Sequence, residues 1–179
     1  MKWTPVRRLM LAMTLTLAAG CMGPAATKVS VQDTNKARAT GFYDQVMSQG
    51  DLEAVSRFVS DSWFSHTPIV PDGERGIEGA RAAATFLRTG FPDLRVRVER
   101  MIAEQDFVTI QVTYTGTHSG DFMGAAPTGR TITFSGIDVF RFEDGKAVEH
   151  WGLLDTNALM RQLGVMAIPT PRPREALNP

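Results

Sequence analysis

The sequence contains a single cysteine, Cys21, among its 179 residues. One cysteine cannot form an intrachain disulfide, so the fold must be held together by the packing of an apolar core. The chain also lacks an excess of charge of either sign, because 19 lysines and arginines balance 19 aspartates and glutamates. With neither a basic stripe nor an acidic tail, nucleic acid is not expected as a partner.

The amino terminus has the pattern of an export signal. A basic start, MKWTPVRR, precedes an apolar stretch over residues 9–19 that is too short for a stable membrane anchor. The stretch ends in LAAGC, which is typical of a bacterial lipoprotein that is cleaved before a cysteine carrying a diacylglycerol. Residues 1–20 are therefore predicted to be a lipoprotein signal peptide, and lipid on Cys21 is predicted to attach the exported protein to the membrane of the bacterial cell envelope. The alternative is a plain secretory signal with a chance cysteine.

The rest of the chain divides into three segments. Residues 21–33 are mostly small and polar and are predicted to form a lipidated tether. Residues 34–164 carry regular hydrophobic patterning and are predicted to form the folded domain. Residues 165–179 contain the proline-rich stretch IPTPRPREALNP and are predicted to be an extended tail.

Hydrophobic periodicity predicts helices first and strands afterwards. Apolar residues at helical spacing predict helices over about residues 34–49, 51–59 and 77–89, and a short closing helix over 155–164. The segment SHTPIVPDGERG between the second and third helices is predicted to be a loop. The period then changes to two, which predicts strands over about residues 94–102, 106–118, 130–142 and 146–155.

This order of elements predicts an α+β fold. The amino-terminal helices are expected to cover one face of a strongly curved antiparallel sheet. A curved sheet that is covered on one side leaves a conical pocket between the two layers. Such a pocket is a natural site for a small molecule.

Asp138 is the residue that fits its surroundings least well. Strand alternation places it on the same face as Phe134 and Phe140, which is the more apolar face of its strand. The same reasoning directs Tyr114 and His118 of the preceding strand toward that side. These three polar residues are therefore predicted to face one cavity. The alternatives are that Asp138 bonds buried backbone groups or an arginine, and that His118 is a satisfied core residue.

The turn at Asp144-Gly145 sets the register of the last hairpin. In an ideal two-residue hairpin, Asp138 lies opposite Trp151, which then faces the cavity. His150 faces the other side and is predicted to lie apart from Asp138. This separation argues against a metal site built from the three histidines of the chain, and no other spacing typical of zinc ligands is present.

Two further segments carry candidate binding residues. His66 follows Trp63 at the start of a loop and is predicted either to line the mouth of the pocket or to cap a helix. The loop SGDFMGAAPTG carries Phe122 and Met123, which favours a flexible lid with apolar contacts. An ordinary strand connection is the alternative, and the motif of a phosphate-binding loop is absent from this segment.

The stretch GTHSGDFMGAAPTGRTITFSGIDVFRFEDGKAVEHWGLLD, residues 116–155, resembles the SnoaL-like polyketide cyclase and ester cyclase family. The shared features are GTH-x-G at the end of a strand, a PPTGR-like turn in which Ala126 replaces the first proline, and an apolar strand with a central aspartate. DGK, EHW and a later aspartate follow in the same order. Upstream, GDLEAV, SHTP and FPDL also resemble the family.

The resemblance implies a cystatin-like cone of the nuclear-transport-factor-two type, often assembled as a homodimer through the outer face of the sheet. It implies ring closure by an intramolecular aldol condensation, without a metal or an organic cofactor. It assigns the acid/base role to Asp138 and a helper role to His118. The residues predicted to bind the substrate are His66, Trp63, Tyr114, Phe134, Phe140, Trp151, Met123, Phe122 and Asp155.

These observations together predict a cofactor-independent cyclase, isomerase or lyase that acts on a small apolar, polyketide-like carbonyl compound. A carboxylate in an apolar pocket is poorly solvated and is therefore a stronger base. One alternative is a lipid-anchored module that binds such a compound without turnover, which the export signal favours. Another is an interaction domain that only forms dimers through its sheet.

Overall fold

A five-stranded sheet with helices on one face forms the body of the protein. The computed structural model describes residues 29–71, 73 and 75–166. The helical elements are α1 (Val31–Gly41), a π-helical segment that continues it (Phe42–Ser48), a 3₁₀ turn (Leu52–Ala54), α2 (Val55–Phe58), α3 (Gly76–Gly90) and α4 (Thr156–Leu163). The strands are β1 (Val59–Ser65), β2 (Arg95–Glu104), β3 (Phe107–Thr117), β4 (Thr131–Glu143) and β5 (Lys146–Leu154).

Both ends of the chain reach beyond the described residues. The predicted signal peptide, Cys21, most of the predicted tether and most of the predicted tail lie outside them. Helix α1 begins at Val31, inside the segment predicted to be tether, because the Ser30 hydroxyl accepts a hydrogen bond from the Asp33 backbone N–H and caps the helix. Among the described residues, no helix is long and apolar enough to cross a membrane.

The sheet has the strand order β1-β5-β4-β3-β2. Strands β2 to β5 are antiparallel, as predicted, and the α+β architecture is confirmed. The sheet is mixed rather than purely antiparallel, however, because β1 runs parallel to β5. The prediction of helix through residue 59, followed directly by a loop, is therefore wrong in this segment.

Strand β1 forms where the second helix ends early. Helix α2 contains only four residues before the backbone becomes extended at Val59. Val59, Trp63 and Ser65 are buried against the helices, whereas Asp61 and Ser62 are exposed. A strand this short and irregular has weak period-two patterning, which is why its sequence does not distinguish it from a loop.

Irregularities in strand pairing bend the sheet. The register shifts between Val98 and Arg100 in the β2–β3 pair, between Arg141 and Phe142 in the β4–β5 pair, and along β1. Extra residues of this kind increase local twist and bend a strand. The bent sheet and the helices enclose a core into which even-numbered side chains of β3 and β4 project, among them Val108, Ile110 and Ile132.

The loop between β3 and β4 closes one end of the cone. The N–H groups of Ser119 and Gly120 both donate to the Gly90 carbonyl at the end of α3. Phe122 is buried, with its ring 4.9 Å from that of Phe86 and 5.0 Å from that of Phe91. This loop therefore packs as part of the core rather than as a lid with a free apolar surface.

The two neighbouring apolar residues of this loop should differ sharply in their contribution to stability. Phe122→Ala removes a buried ring that packs against Phe86 and Phe91, and it is expected to cost about 3–5 kcal/mol of unfolding free energy. Met123→Ala is the matched control, because Met123 is 57% exposed, and its cost should stay within about 0.5 kcal/mol. Urea unfolding followed by circular dichroism measures both. Equal costs would contradict the assignment of Phe122 to the core.

Candidate functional site

A cavity of about 320 Å³ lies between the inner face of the sheet and the helices. This volume is at the lower end of the range typical of small-molecule sites. The lining residues are Phe42, Tyr43, Met47, Trp63, Ser65, Thr67, Pro68, Ile69, Gly73, Ala80, Ala83, Ala84, Leu87, Tyr114, Asp138, Phe140, His150, Gly152, Leu153, Leu154 and Thr156. Most of them are apolar, so the few polar side chains decide what chemistry the cavity can perform.

Asp138 lies on the cavity wall, as strand alternation predicts. It is only 5% exposed, and its Oδ2 accepts a hydrogen bond of 2.5 Å from the Tyr43 hydroxyl. Its Oδ1 lies 3.0 Å from His150 Nε2. A buried carboxylate needs such donors to offset its lost hydration. The hydrogen-bond partners of Asp138 are thus these two side chains, and not the backbone groups or the arginine considered as alternatives.

His150 continues the hydrogen-bonded chain to a third residue. Its Nδ1 lies 3.1 Å from the Ser65 hydroxyl oxygen. With Asp138 ionised, Nε2 carries the proton and donates to the carboxylate, and the Ser65 hydroxyl donates to Nδ1. This assignment satisfies both ring nitrogens of a neutral imidazole, so the row Ser65–His150–Asp138 is complete.

A β-bulge brings His150 to Asp138 and corrects the predicted register. Arg141 pairs with Glu149 but Phe142 pairs with Ala147, which leaves Val148 as an extra residue. Every residue beyond the bulge therefore changes face relative to the ideal hairpin. His150 points into the cavity, contrary to the prediction that it faces away.

Asp138 consequently lies opposite Gly152 rather than Trp151. A Cβ on residue 152 would lie 2.5 Å from Asp138 Oδ1 and 2.9 Å from His150 Nε2. Both distances are too short for real atoms in contact, so only glycine leaves room for the imidazole to reach the carboxylate. The absence of a side chain at this position is part of the site.

Two tyrosines adjoin the carboxylate. Tyr43 comes from the π-helical segment, a conformation that is rare and is often found at functional sites. Tyr114 comes from β3 and stacks on Phe134 at 4.9 Å between ring centroids. Burial, followed by the nearby charge of Asp138, raises the pKa of each phenol well above its ordinary value. Both phenols therefore stay protonated at neutral pH and can act as donors.

Trp63 presents a donor to which the described residues offer no partner. The residue is 5% exposed, and its Nε1 has no hydrogen-bond acceptor among the described residues. Leaving a buried donor unpaired costs about 1–3 kcal/mol. Its indole stacks on the imidazole of His150, with the ring centroids 5.4 Å apart.

His118 does not join this group. It is fully buried beyond the end of β3, and its ring lies 5.5 Å from that of Phe91. Its Nδ1 accepts a 3.3 Å hydrogen bond from the Thr128 N–H. The prediction that His118, Tyr114 and Asp138 face one cavity is therefore wrong for His118. His118 occupies the end of the cone that the β3–β4 loop closes.

Several other predicted binding residues lie away from the cavity. Trp151 pairs with Val139 on the outer face because of the bulge, and it stacks on His66 at 4.3 Å. His66 also contacts Glu149, with 2.8 Å between Nε2 and Oε2. Asp155 caps α4 by accepting a hydrogen bond from the Ala158 N–H. Of the predicted substrate-binding set, the structure places Trp63, Tyr114 and Phe140 on the cavity wall.

The three other predicted binding residues do not line the cavity. Phe134 is buried behind Tyr114, and Phe122 and Met123 belong to the loop at the closed end. The three histidines occupy three separate surroundings. Among the described residues, no group of three or more His, Cys, Asp or Glu side chains is arranged to hold a metal ion.

Sequence reasoning missed Tyr43, His150 and Ser65 as members of the site. Tyr43 resembles any core residue of an amphipathic helix, and only the tertiary structure brings it to Asp138. His150 carries a usable signal, because the adjacent apolar pair Ala147 and Val148 breaks the alternation of its strand. Two consecutive buried residues in a hairpin strand indicate a bulge.

Comparisons with known proteins agree with this architecture. A family model described as "SnoaL-like polyketide cyclase" matches residues 37–163. The aklanonic acid methyl ester cyclase AcmA of Streptomyces galilaeus is 25% identical over 122 residues, which cover 67% of this chain and 84% of AcmA.

Solved structures with similar folds include relatives with different assigned activities. AclR of Streptomyces galilaeus, a candidate hydroxylase, is 29% identical with a TM-score of 0.67, over 76% of this chain and 99% of AclR. IdmH of Streptomyces antibioticus, a candidate polyketide cyclase, is 29% identical with a TM-score of 0.64, over 73% of this chain and 98% of IdmH. The region aligned with this chain therefore covers nearly the whole of each of these two relatives.

The two phenols at the site should make the protein sensitive to alkali. Tyr43 and Tyr114 are the only tyrosines of the chain. Their pKa values are raised in the folded state, whereas an unfolded chain releases both protons near pH 10. The stability they contribute is therefore complete below about pH 10 and is lost as pH rises beyond it. As pH rises, tyrosinate absorbance should show no ionisation while the protein is folded. Both phenols should then ionise together as the protein unfolds.

Circular dichroism recorded on the same samples provides the control, and Tyr43→Phe should halve the amplitude of the alkaline step. A native protein that ionises either tyrosine near pH 10 without losing its structure would contradict this arrangement.

Proposed function

Because this chain belongs to the SnoaL-like polyketide cyclase family, we propose that it catalyses an intramolecular aldol-type cyclisation or an isomerisation of a small apolar carbonyl compound. Asp138 is the acid/base in this proposal. The observation that carries it is a carboxylate, 5% exposed, on the wall of a largely apolar cavity of about 320 Å³. A base in such surroundings is desolvated and is positioned to meet an apolar substrate.

The proposed reaction begins with the transfer of a proton from carbon to Asp138. A carboxylate has about four acceptor sites, and the hydrogen bonds from Tyr43 and His150 occupy two of them. A free lone pair therefore remains to take the proton of an acidic C–H beside a carbonyl. The electron pair of that bond moves onto the carbonyl oxygen as an enolate.

The enolate then attacks a second carbonyl of the same molecule. A carbon–carbon bond forms, the electron pair of the attacked carbonyl moves to its oxygen, and protonated Asp138 returns the proton to that alkoxide. In an isomerisation, the same proton returns to a different carbon. In either reaction, Asp138 returns the proton that it removed, so the proposed steps need no cofactor.

The residues around Asp138 keep it in place during the proton transfer. Tyr43 and His150 hold one carboxylate oxygen each, and Ser65 holds the other nitrogen of His150. Fixed orientation of this kind lets a side chain contribute about 10²–10⁴-fold to a proton-transfer step. The apolar walls, including Phe42, would fold the substrate so that its two reacting carbons meet.

The proposal also includes a homodimer formed through the outer face of the sheet. The register aligns Ile102, Thr109, Val139 and Trp151 in one row across four strands of that face. Ile102 is 67% exposed, and Ile137 in the adjacent row is 52% exposed. Exposed apolar side chains on a broad sheet face are typical of subunit contacts.

Replacing the proposed base tests the chemistry directly. Asp138→Asn keeps the shape of the side chain but removes its basicity, and it should lower kcat by about 10²–10⁴-fold while ligand affinity stays within a few-fold. Aklanonic acid methyl ester, which the name of the relative AcmA specifies, is the first compound to assay, together with other aromatic polyketide esters and 1,3-dicarbonyl compounds. Product formation is followed by chromatography.

Asp144→Asn is the matched control. Asp144 is an exposed carboxylate in the hairpin turn, and an Asn-Gly pair supports the same turn. The Asp144→Asn variant should be as active as the unaltered protein. Full turnover in Asp138→Asn would refute the acid/base role. Tight binding of these compounds with no turnover in the unaltered protein would favour the alternative of a lipid-anchored binding module.

We further propose that the protein is exported and lipid-anchored through Cys21, as its amino-terminal sequence predicts. In a bacterial host, the full chain should incorporate radiolabelled palmitate and sediment with membranes. Cys21→Ser should abolish both, because no other thiol exists in the chain. Retention of label in that variant would contradict the assignment.

A further inference from the structure

We propose that the indole N–H of Trp63 is the hydrogen-bond donor that receives the carbonyl oxygen of the substrate and stabilises it as an enolate. This inference rests on the proposed function and adds to it the residue that binds the carbonyl oxygen of the substrate. The substrate is a carbonyl compound whose oxygen can accept from Trp63 while a C–H on the adjacent carbon reaches Asp138.

Trp63 belongs to the cavity wall and carries a hydrogen-bond donor that the described residues leave unused. Trp63 lines the cavity, is 5% exposed, and has no acceptor for Nε1 among the described residues. Buried N–H groups in folded proteins are almost always paired. An unpaired one on the wall of a ligand cavity therefore points to a ligand oxygen as its partner.

The other polar side chains around Asp138 are already engaged, and the phenol of Tyr114 interacts with Tyr43 and Asp138. Tyr43 donates to Asp138, and both nitrogens of His150 are used by Asp138 and Ser65. The Thr67 hydroxyl oxygen accepts a 2.6 Å hydrogen bond from the Gly152 N–H. These groups hold the carboxylate and the cavity rim in place, whereas the indole N–H has no acceptor in the part of the chain that the structure describes.

Neighbouring rings hold the indole in a fixed orientation. Its ring stacks on the imidazole of His150, with an interplanar angle of 19°, and lies 6.1 Å from the ring of Phe140. Because His150 also contacts Asp138, the base and the free donor flank the same imidazole. A preorganised donor costs no reorganisation when charge develops on the substrate.

The chemistry requires a donor of this kind. When Asp138 removes the proton from carbon, the electron pair moves to the carbonyl oxygen, which then carries a negative charge. A hydrogen bond to a charged acceptor is about twice as strong as one to a neutral acceptor. Trp63 therefore stabilises the enolate more than the ground-state ketone, and it remains neutral because an indole N–H does not ionise under these conditions.

Binding of an enolate mimic separates this role from simple packing. Full-length protein carrying Asp138→Asn is the host, because it lacks the charge that would repel an anion. The probes are 4-nitrophenolate, which presents an oxygen anion on a planar ring, and 4-nitrotoluene, which has a similar shape without that oxygen. Dissociation constants are measured by fluorescence titration, with and without Trp63→Phe.

Loss of the indole N–H should affect only the oxygen probe. Trp63→Phe is expected to raise the dissociation constant of 4-nitrophenolate by about tenfold or more. The dissociation constant of 4-nitrotoluene should rise by less than about threefold. Trp151→Phe is the matched control, since Trp151 lies on the outer face against His66, and it should change neither constant. In ¹H–¹⁵N spectra, the indole resonance that disappears in Trp63→Phe should move downfield when 4-nitrophenolate binds.

The inference is overturned if Trp63→Phe weakens both probes equally, if it weakens neither, or if 4-nitrophenolate binds no more tightly than 4-nitrotoluene. These measurements use a protein without the proposed base and involve no turnover. They therefore fail or succeed independently of the activity assays on Asp138→Asn, which decide the proposed function.

Discussion

The burial of the Asp138 carboxylate is the constraint around which the inner face of the sheet is arranged. Removing a carboxylate from water costs several kcal/mol unless donors replace its hydration. The two donors come from distant parts of the chain, Tyr43 from the π-helical segment and His150 from β5. The same contacts that stabilise the charge therefore fix the helical layer and β5 against β4. Loss of either donor would weaken the site and the packing together.

Local irregularities make this arrangement sterically possible. The bulge at Val148 turns His150 inward, and glycine at position 152 leaves the space that the imidazole crosses to reach Asp138. Regular strand pairing would place the imidazole on the outer face, and a larger residue at 152 would separate the two groups. Bulges beside active sites commonly redirect a side chain in this way. Here the redirected side chain completes a three-residue hydrogen-bonded row.

The sequence predicts some parts of this structure well because those parts depend on local patterns. The phase of β4, and thus the inward direction of Asp138, follows from alternation alone. The Asp144-Gly145 turn and α4, which ends at Gly164 in a left-handed conformation, are likewise local features. The faces of His150 and Trp151 could not be predicted from an ideal hairpin, because one extra residue reverses every position after it. Tyr43 could not be assigned to the site at all, because its partner is distant in sequence.

The strand with the weakest local pattern also supplies two polar side chains of the site. Strand β1 supplies Trp63 and Ser65, and its parallel pairing with β5 places Ser65 beside His150. The motif-rich stretch from β3 to β5 supplies the carboxylate and the imidazole but neither of these two partners. The residues that the motif makes recognisable and the residues that contact them therefore come from separate parts of the chain, so the motif alone does not define the polar surroundings of Asp138.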